Sequence, residues 1–215
     1  MEIIVEGIAE KLVTPNQVTI NLNFNYKNEN YEELMKEAIS EINDFIEEIL
    51  NKYNLKNTDL KTTNFVIKKE NKYNEKTNTY EFDTYSYNQS ANITFMYDNT
   101  TLPNIINDIS KLSNVPTYNV TFDVQNKEKY RNELIKEAFE NAKEKAQIIS
   151  LSANKTLKEC IKTDFREVSD FYRAPLFNDN IMEARMLNLS KQIFENITPE
   201  DIILTEKIYS IWIAE

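Results

Sequence analysis

The chain has 215 residues and a mass of 25.3 kDa, and its 25 basic and 35 acidic side chains give a formal net charge of −10. This length fits one domain or two small subdomains. The acidic balance argues against nucleic acid as a partner, because phosphate binding needs a basic patch. The chain has no histidine, which excludes histidine-dependent catalysis, and with a single cysteine it has neither the ligands of a histidine and cysteine zinc site nor an intrachain disulfide. Its single glycine excludes the glycine-rich loops that bind nucleotides.

The N-terminus lacks the basic region and the long apolar region of a signal peptide. No apolar run reaches the length of a membrane span. We therefore expect a cytoplasmic protein with no membrane span.

Apolar periodicity predicts the elements of the first half of the chain. After a short N-terminal strand, alternation of apolar and polar residues predicts a strand over residues 18–26. An i, i+3, i+4 stripe of apolar residues predicts a helix over 31–53. Two strands follow near 63–73 and 80–97, and the polar residues 74–78 between them predict a hairpin turn. The second of these strands is long for a globular sheet.

The second half of the chain begins with a short helix that opens near Pro103. A strand over 118–124 and a long helix over about 127–153 follow, and two further strands are predicted at 157–165 and 202–213. The residues of the long helix that we expect to face inward are Leu134, Ala138, Ala142, Ala146 and Ile149. Cys160 is expected to be a small buried apolar residue of its strand.

The order of these elements predicts an α+β fold. From about residue 16 to 125 the order is β-α-β-β-α-β, which is typical of a ferredoxin-like core with helices packed on one face of an antiparallel sheet. We expect residues 1–15 and 126–215 to form a second α+β layer from the N-terminal strand, the long helix and the C-terminal strands. The chain would then be a single domain, 1–215, built from two subdomains.

Six short motifs follow one another along the chain. They are Val5-Glu6-Gly7 followed by Pro15-Asn16-Gln17-Val18; Asp59, Leu60 and Thr62; Tyr87 and Ser90; Phe122-Asp123-Val124; Arg131, Ala138, Ala142, Lys145-Ala146 and Leu157; and Thr198-Pro199-Glu200. In order and spacing they resemble the motifs of the SIMPL-domain family of bacterial proteins. The resemblance covers nearly the whole chain. It implies a protein without established enzymatic activity, so no catalytic, cofactor-binding or metal-binding residue is carried over. It also implies assembly into oligomers and a role connected with the cell envelope or oxidative stress.

Aromatic side chains are concentrated in the predicted hairpin and in a later segment without clear periodicity. The hairpin carries Tyr73, Tyr80, Phe82, Tyr85 and Tyr87, and the later segment carries Phe171, Tyr172 and Phe177. The hairpin rings either fill a sheet face, as β-favouring residues do, or form an association surface. The later segment either folds over the core or docks onto a partner.

Three functional hypotheses remain open from the sequence. The preferred one is a non-enzymatic domain that self-associates into a homo-oligomer through the aromatic residues just named. A second is a monomeric binding module for a peptide or small apolar ligand. A third is a carboxylate-dependent hydrolase, which needs two acidic groups converging in a cleft. The many carboxylates of the first long helix, from Glu32 to Glu48, are interpreted as a solvated helix face.

Overall fold

The structure, a computed structural model, describes residues 1–165 and 198–215. These residues form an α+β fold with antiparallel sheets, as the sequence predicts. They divide into two units, one comprising Asn16–Asp123 and the other comprising Met1–Pro15, 124–165 and Pro199–Glu215. In chain order the elements are β1 (Glu2–Val13), β2 (Gln17–Asn28), α1 (Tyr31–Phe45), β3 (Leu60–Asn74), β4 (Thr79–Met96), α2 (Thr101–Ile109), β5 (Thr117–Asp123), α3 (Lys127–Ser152), β6 (Leu157–Phe165) and β7 (Ile202–Ala214).

The unit Asn16–Asp123 contains a four-stranded sheet in the order β3-β4-β2-β5. Every neighbouring pair of strands is antiparallel. One face of β2 is buried, because its apolar residues repeat every second position, and α1 and α2 share a core with that face. The β2 side chains of this core are Val18, Ile20, Leu22, Phe24 and Tyr26. The opposite face of β2 carries threonine and asparagine, so it needs no apolar cover.

The predicted helix over 31–53 is regular only as far as Phe45 and continues as a π-helical turn, Ile46–Asn51. The hydrogen bonds of a π-turn join residues five apart, and Phe45 and Leu50 both lie on the buried side. Ile49 is buried there as well. Most carboxylates of this helix are exposed and Glu41 is half-buried, which confirms the solvated-face interpretation.

The second unit contains a three-stranded antiparallel sheet in the order β1-β7-β6, with α3 packed on one face. Four of the predicted inward residues of α3 are fully buried, but Ile149 is 43% exposed, so that prediction is wrong. The buried line advances in steps of four residues from Leu134, and the next step after Ala146 is Ser150. The Ser150 hydroxyl donates to the Gln147 carbonyl, which satisfies it inside the core.

Cys160 lies in β6, where it packs only partly buried against the apolar cluster that includes Trp212. The prediction of a buried cysteine therefore holds only in part. The reason is that β6 is an edge strand whose register with β7 is irregular between Leu157 and Lys162.

Gly7, the sole glycine, lies where β1 approaches the backbone of α3 closely. A Cβ atom placed on Gly7 would lie 1.9 Å from the carbonyl oxygen of Ala138 and 2.8 Å from the Cβ of Ala142. Backbone atoms cannot move aside as a flexible side chain can. The absence of a side chain at position 7 and the alanine line of α3 together permit this approach.

We expect the substitution Gly7→Ala to lower the free energy of unfolding by roughly 2 kcal/mol or more, because the added methyl overlaps the helix backbone. Urea denaturation of the purified variant measures the loss. The control is Glu10→Ala on the exposed side of the same strand, for which a change within about 0.5 kcal/mol is expected. A Gly7→Ala protein as stable as wild type would show that the close approach is not needed.

Polar contacts of Asp108, on α2, connect elements within the unit Asn16–Asp123. Its Oδ2 accepts hydrogen bonds of 2.6 Å each from Lys52 Nζ and the Tyr53 hydroxyl, and its Oδ1 accepts one of 3.0 Å from Lys111 Nζ. Partial burial alone raises the pKa of Asp108, but these hydrogen bonds outweigh it and lower the pKa to about 2. The carboxylate therefore ties the end of the helical segment after α1 to α2.

Because the folded-state pKa of Asp108 lies below its unfolded value, its contribution to stability is present above about pH 4 and is lost as the pH falls toward 2. We expect Asp108→Asn to lower the free energy of unfolding by about 1–2 kcal/mol at pH 7 and by much less near pH 2. Urea denaturation at the two pH values measures the difference. Asp44→Asn, at an exposed position of α1, is the matched control. An equal loss at both pH values for Asp108→Asn would contradict the assignment.

Candidate functional site

The hairpin of β3 and β4 extends beyond the sheet to which it belongs. The last pair between β2 and β4 joins Asn28 and Tyr85. Among the strands that the structure describes, β3 and β4 pair only with each other from there to the turn at 75–78. The end of the hairpin is thus a two-stranded ribbon, a structure that is marginally stable in water when nothing packs on it.

The register of the ribbon brings its aromatic residues to one face. Tyr73 lies opposite Tyr80, and closer to the sheet Ile67 lies opposite Tyr87. Opposed residues share a face, and residues 67 and 73 of the regularly paired β3 lie on the same side. That side is the helix-bearing side of the sheet, because Ile67 and Tyr87 pack in the core that includes α1. We call the residues Phe65, Tyr73, Tyr80, Phe82, Tyr85 and Tyr87 the aromatic stripe.

A β-bulge at Asp83 makes the stripe continuous. Glu70 pairs with Thr84 and the next residue, Asn71, pairs with Phe82, so no β3 residue is paired with Asp83 in the ladder. Strict alternation along β4 would place Phe82 and Tyr85 on opposite faces, since they are three residues apart. The extra residue at the bulge restores them to the same face, and their ring centroids are 5.0 Å apart.

On β4 the exposure of the stripe rises from Tyr87 toward the tip of the hairpin. Tyr87 is only 7% exposed, whereas Tyr73 is 51% and Tyr80 is 75% exposed. The Tyr87 hydroxyl donates a hydrogen bond to Gln89 Oε1, and burial raises the pKa of this tyrosine, so it remains a donor at neutral pH. Tyr87 is therefore a core residue. The surface that a partner could contact consists of Phe65, Tyr73, Tyr80 and Phe82, with Tyr85 half-buried beside them.

Three ring pairs lie within the stripe, and two further pairs connect it to neighbouring tyrosines. The pairs within the stripe, with centroid separations, are Phe65–Tyr87 at 6.0 Å, Phe82–Tyr85 at 5.0 Å and Tyr73–Tyr80 at 5.3 Å. Tyr26 lies 5.9 Å from Tyr87, and Tyr31 lies 5.6 Å from Tyr85. Tilted and edge-to-face pairs of this kind contribute about 0.5–1.5 kcal/mol each beyond their buried area. The contacts order the exposed rings before any partner binds.

The other face of the ribbon carries charged side chains instead of rings. Lys27 Nζ lies 2.8 Å from Glu70 Oε2, and Lys72 Nζ lies 3.0 Å from Asp83 Oδ1. The hydrogen bond from Lys27 holds the pKa of Glu70 below its usual range. The ribbon is therefore amphipathic, with one solvated charged face and one aromatic face that is only partly covered.

The remaining interface residues predicted from the sequence, Phe171, Tyr172 and Phe177, lie outside the described residues. The structure brings the hairpin residues of that prediction to one face of the sheet. Phe65, which the sequence prediction did not include, joins them because it lies on the same face of β3 as Tyr73.

A concavity of about 660 Å³ lies beside the ribbon, at the junction of β2 and α1. Its lining consists of polar and charged residues, among them Lys27, Glu33 and Asp83. An apolar ligand needs a mostly apolar lining. This concavity therefore gives no support to the hypothesis of a site for a small apolar molecule.

Glu206 is a buried carboxylate that the sequence analysis did not single out. It lies on β7 at 2% exposure, and its Oε1 is 3.5 Å from Nε of Arg131 on α3. Alternation gives the signal that could have found it, since Leu204 and Ile208 on either side are also buried. The group beside this carboxylate is the guanidinium of Arg131, whereas the hydrolase hypothesis requires two paired acids.

Within residues 1–165 and 198–215, no group of three or more cysteine, aspartate or glutamate side chains converges to hold a metal ion. None of the helices in this part of the chain combines the length and apolar character needed to cross a lipid bilayer.

The described residues define an α+β protein with antiparallel sheets and an extended aromatic hairpin. Residues 3–193 match the family SIMPL, described as a protein of unknown function (DUF541). Because the match spans most of the chain, the protein belongs to the SIMPL family, as its short motifs indicate. The comparison with curated proteins gave no match.

We expect the two ends of the stripe to differ in their importance for folding. Tyr80→Ala removes one exposed ring contact and should lower the free energy of unfolding by less than about 1 kcal/mol. Tyr87→Ala leaves a cavity in the core and should lower it by roughly 3 kcal/mol or more. Urea denaturation of both variants makes the comparison. Equal losses would contradict the division of the stripe into a core end and a free end.

Proposed function

We propose that this SIMPL-family chain is a non-enzymatic domain that self-associates into a homo-oligomer, with the exposed end of the aromatic stripe in the contact. The observation that carries the proposal is the two-stranded ribbon, whose aromatic face is ordered by ring contacts yet exposed to solvent at Tyr73, Tyr80 and Phe82.

Physical arguments support an interface at this surface. Tyrosine and phenylalanine are enriched in the cores of protein interfaces, and a few buried aromatic residues supply most of the binding energy there. Rings already held by their neighbours lose little side-chain freedom on binding. A contact on this face would also stabilise the ribbon itself, which is otherwise marginal.

The non-enzymatic part of the proposal draws support from five carboxyl groups of the described residues. Hydrogen bonds hold the pKa values of Glu70, Glu81, Asp98, Asp108 and Glu133 below their usual range. A carboxylic acid that donates a proton in catalysis near neutral pH needs a raised pKa.

The family resemblance extends the proposal to a role connected with the cell envelope or oxidative stress. In the native host, loss of the gene should then sensitise cells to peroxide or envelope stress. A copy whose stripe can no longer associate should fail to restore resistance.

The first test is the mass of the purified protein by light scattering over a hundredfold dilution series. We expect a fixed multiple of 25.3 kDa for the wild type. The variant Tyr73→Ser/Tyr80→Ser/Phe82→Ser should dissociate, because it removes the apolar contact area from the ribbon.

The matched control is Ile39→Ser/Val115→Ser, which removes exposed apolar side chains of the same unit away from the hairpin. It should keep the wild-type mass, and circular dichroism should show that both variants are folded. A wild-type protein that is a 25 kDa monomer at every concentration would overturn the proposal. So would a stripe variant that retains the full multimer.

A further inference from the structure

We propose that two copies of this chain join through the outer edges of their β3 strands, which pair antiparallel about a two-fold axis passing through Lys69. This inference rests on the proposed self-association and specifies its geometry. The two four-stranded sheets would become one continuous sheet of eight strands.

The first argument is the contrast between two edge strands. The edge of β1 is occupied, because the Ile8 N–H donates to Asn141 Oδ1 at 3.1 Å and Lys145 Nζ donates to the Glu6 carbonyl at 2.8 Å. Side chains from α3 thus satisfy backbone groups that would otherwise be free to hydrogen-bond to another strand.

The outer edge of β3 has no comparable cover in the part of the chain that the structure describes. No strand there pairs with it, and no backbone group there hydrogen-bonds to it from outside the sheet. From Asn64 to Asn74 each β3 residue has a partner on β4, so β3 itself carries no bulge over these eleven residues. A long regular edge is a template for adding a further strand.

The second argument is that this edge is complementary to itself when centred on Lys69, the midpoint of 64–74. Residues whose numbers add to 138 then lie opposite one another. Lys68 of each copy lies opposite Glu70 of the other, which gives two ionic pairs. Phe65 of each copy lies opposite Tyr73 of the other, which gives two aromatic pairs. Cross-strand pairs of both kinds stabilise antiparallel sheets.

The third argument concerns the faces of the joined sheet. A two-fold axis perpendicular to a sheet maps each face onto itself. The aromatic stripes of the two copies would therefore lie on the same side and meet across the junction. The exposed rings of Phe65 and Tyr73, at 58% and 51% exposure, would gain the cover that each lacks in the single chain.

Neighbouring registers are less favourable. Centring the pair on Lys68 puts the two Lys68 residues opposite each other and forms neither ionic pair. Centring it on Glu70 puts Lys68 opposite Lys72 twice and the two Glu70 residues opposite each other. Centring it on Asn71 restores two opposite-charge pairs between Glu70 and Lys72, but shortens the paired segment to residues 68–74 and leaves Phe65 without a ring partner.

Lysine on an edge strand usually discourages pairing, so the central Lys69 requires an account. Its Nζ lies 5.3 Å from the centroid of the Phe82 ring, on the aromatic face. The aromatic ring attracts the charge of a lysine held over it. Salt further screens the repulsion between two such exposed ammonium groups.

The test uses two charge reversals that repel themselves and attract each other. Lys68→Glu places two glutamate pairs across the junction, and Glu70→Lys places two lysine pairs there. Each variant alone should self-associate at least about tenfold more weakly than wild type in low salt. An equimolar mixture should regain the wild-type affinity, because glutamate then faces lysine in both pairs. Fluorescence transfer between differently labelled copies measures this recovery.

Lys61→Glu is the matched control, since it reverses an exposed lysine of β3 outside the paired segment. It should leave association unchanged. Failure of the mixture to recover, or an equal effect of Lys61→Glu, overturns the β3 pairing while the self-association proposal stands. A wild type that never associates overturns both.

A disulfide test does not depend on the charge variants folding. In a Cys160→Ser background, Lys69→Cys places two thiols opposite each other at the axis, within the Cα separation that a disulfide spans. Asn71→Cys is the control, because the two copies of residue 71 would lie roughly 13 Å apart along the strands. Mild oxidation should cross-link Lys69→Cys at least about tenfold faster. Equal rates, or faster cross-linking of Asn71→Cys, would overturn the register.

Discussion

The close approach of β1 to α3 at Gly7 is the constraint on which the unit of Met1–Pro15, 124–165 and Pro199–Glu215 depends. The apolar clusters on this helix lie to either side of Gly7, one around Leu134 and Ala138 and one around Ala142 and Trp212. Any side chain at position 7 would push the helix away from the sheet, and both clusters would lose contact together. The sole glycine of the chain and the alanine line of α3 are thus both needed for the close packing of β1 on α3.

The unit of Asn16–Asp123 is stabilised in a different way, by large side chains that fill the space between sheet and helices. Phe24 and Phe45 meet edge to face at 5.4 Å, and isoleucine and leucine residues from β2, β4, α1 and α2 close the core around them. Large side chains in contact with many neighbours tolerate small shifts by repacking. A contact between backbone atoms allows no such adjustment, so the two units should differ in their sensitivity to substitution.

Much of the fold could be predicted from periodicity, and the exceptions have physical causes. The strands and the order β-α-β-β-α-β followed from residues such as Val18–Tyr26 that alternate strictly. The π-turn after Phe45 could not be predicted from the sequence, because its apolar residues fit an α-helical stripe equally well. Ser150 was missed because a hydroxyl that bonds to its own helix can be buried like an apolar group. The hairpin rings were found by composition, but which ring is buried depends on where β2 stops and where the bulge lies.

The bulge at Asp83 has a consequence for how relatives of this chain should be aligned. No β3 residue is paired with Asp83 in the ladder. In a homologue without this residue, side chains would alternate regularly between the two faces of β4, and the same rings would stay on the same side. A one-residue gap at this position would therefore mark preserved geometry. Within the strand residues 71–74 or 79–82, a one-residue gap without a compensating insertion would reverse the alternation of faces toward the tip. Tyr73 or Tyr80 would then lie on the face that carries the lysines. Gap placement in this short stretch is thus a more direct record of a shared surface than residue identity.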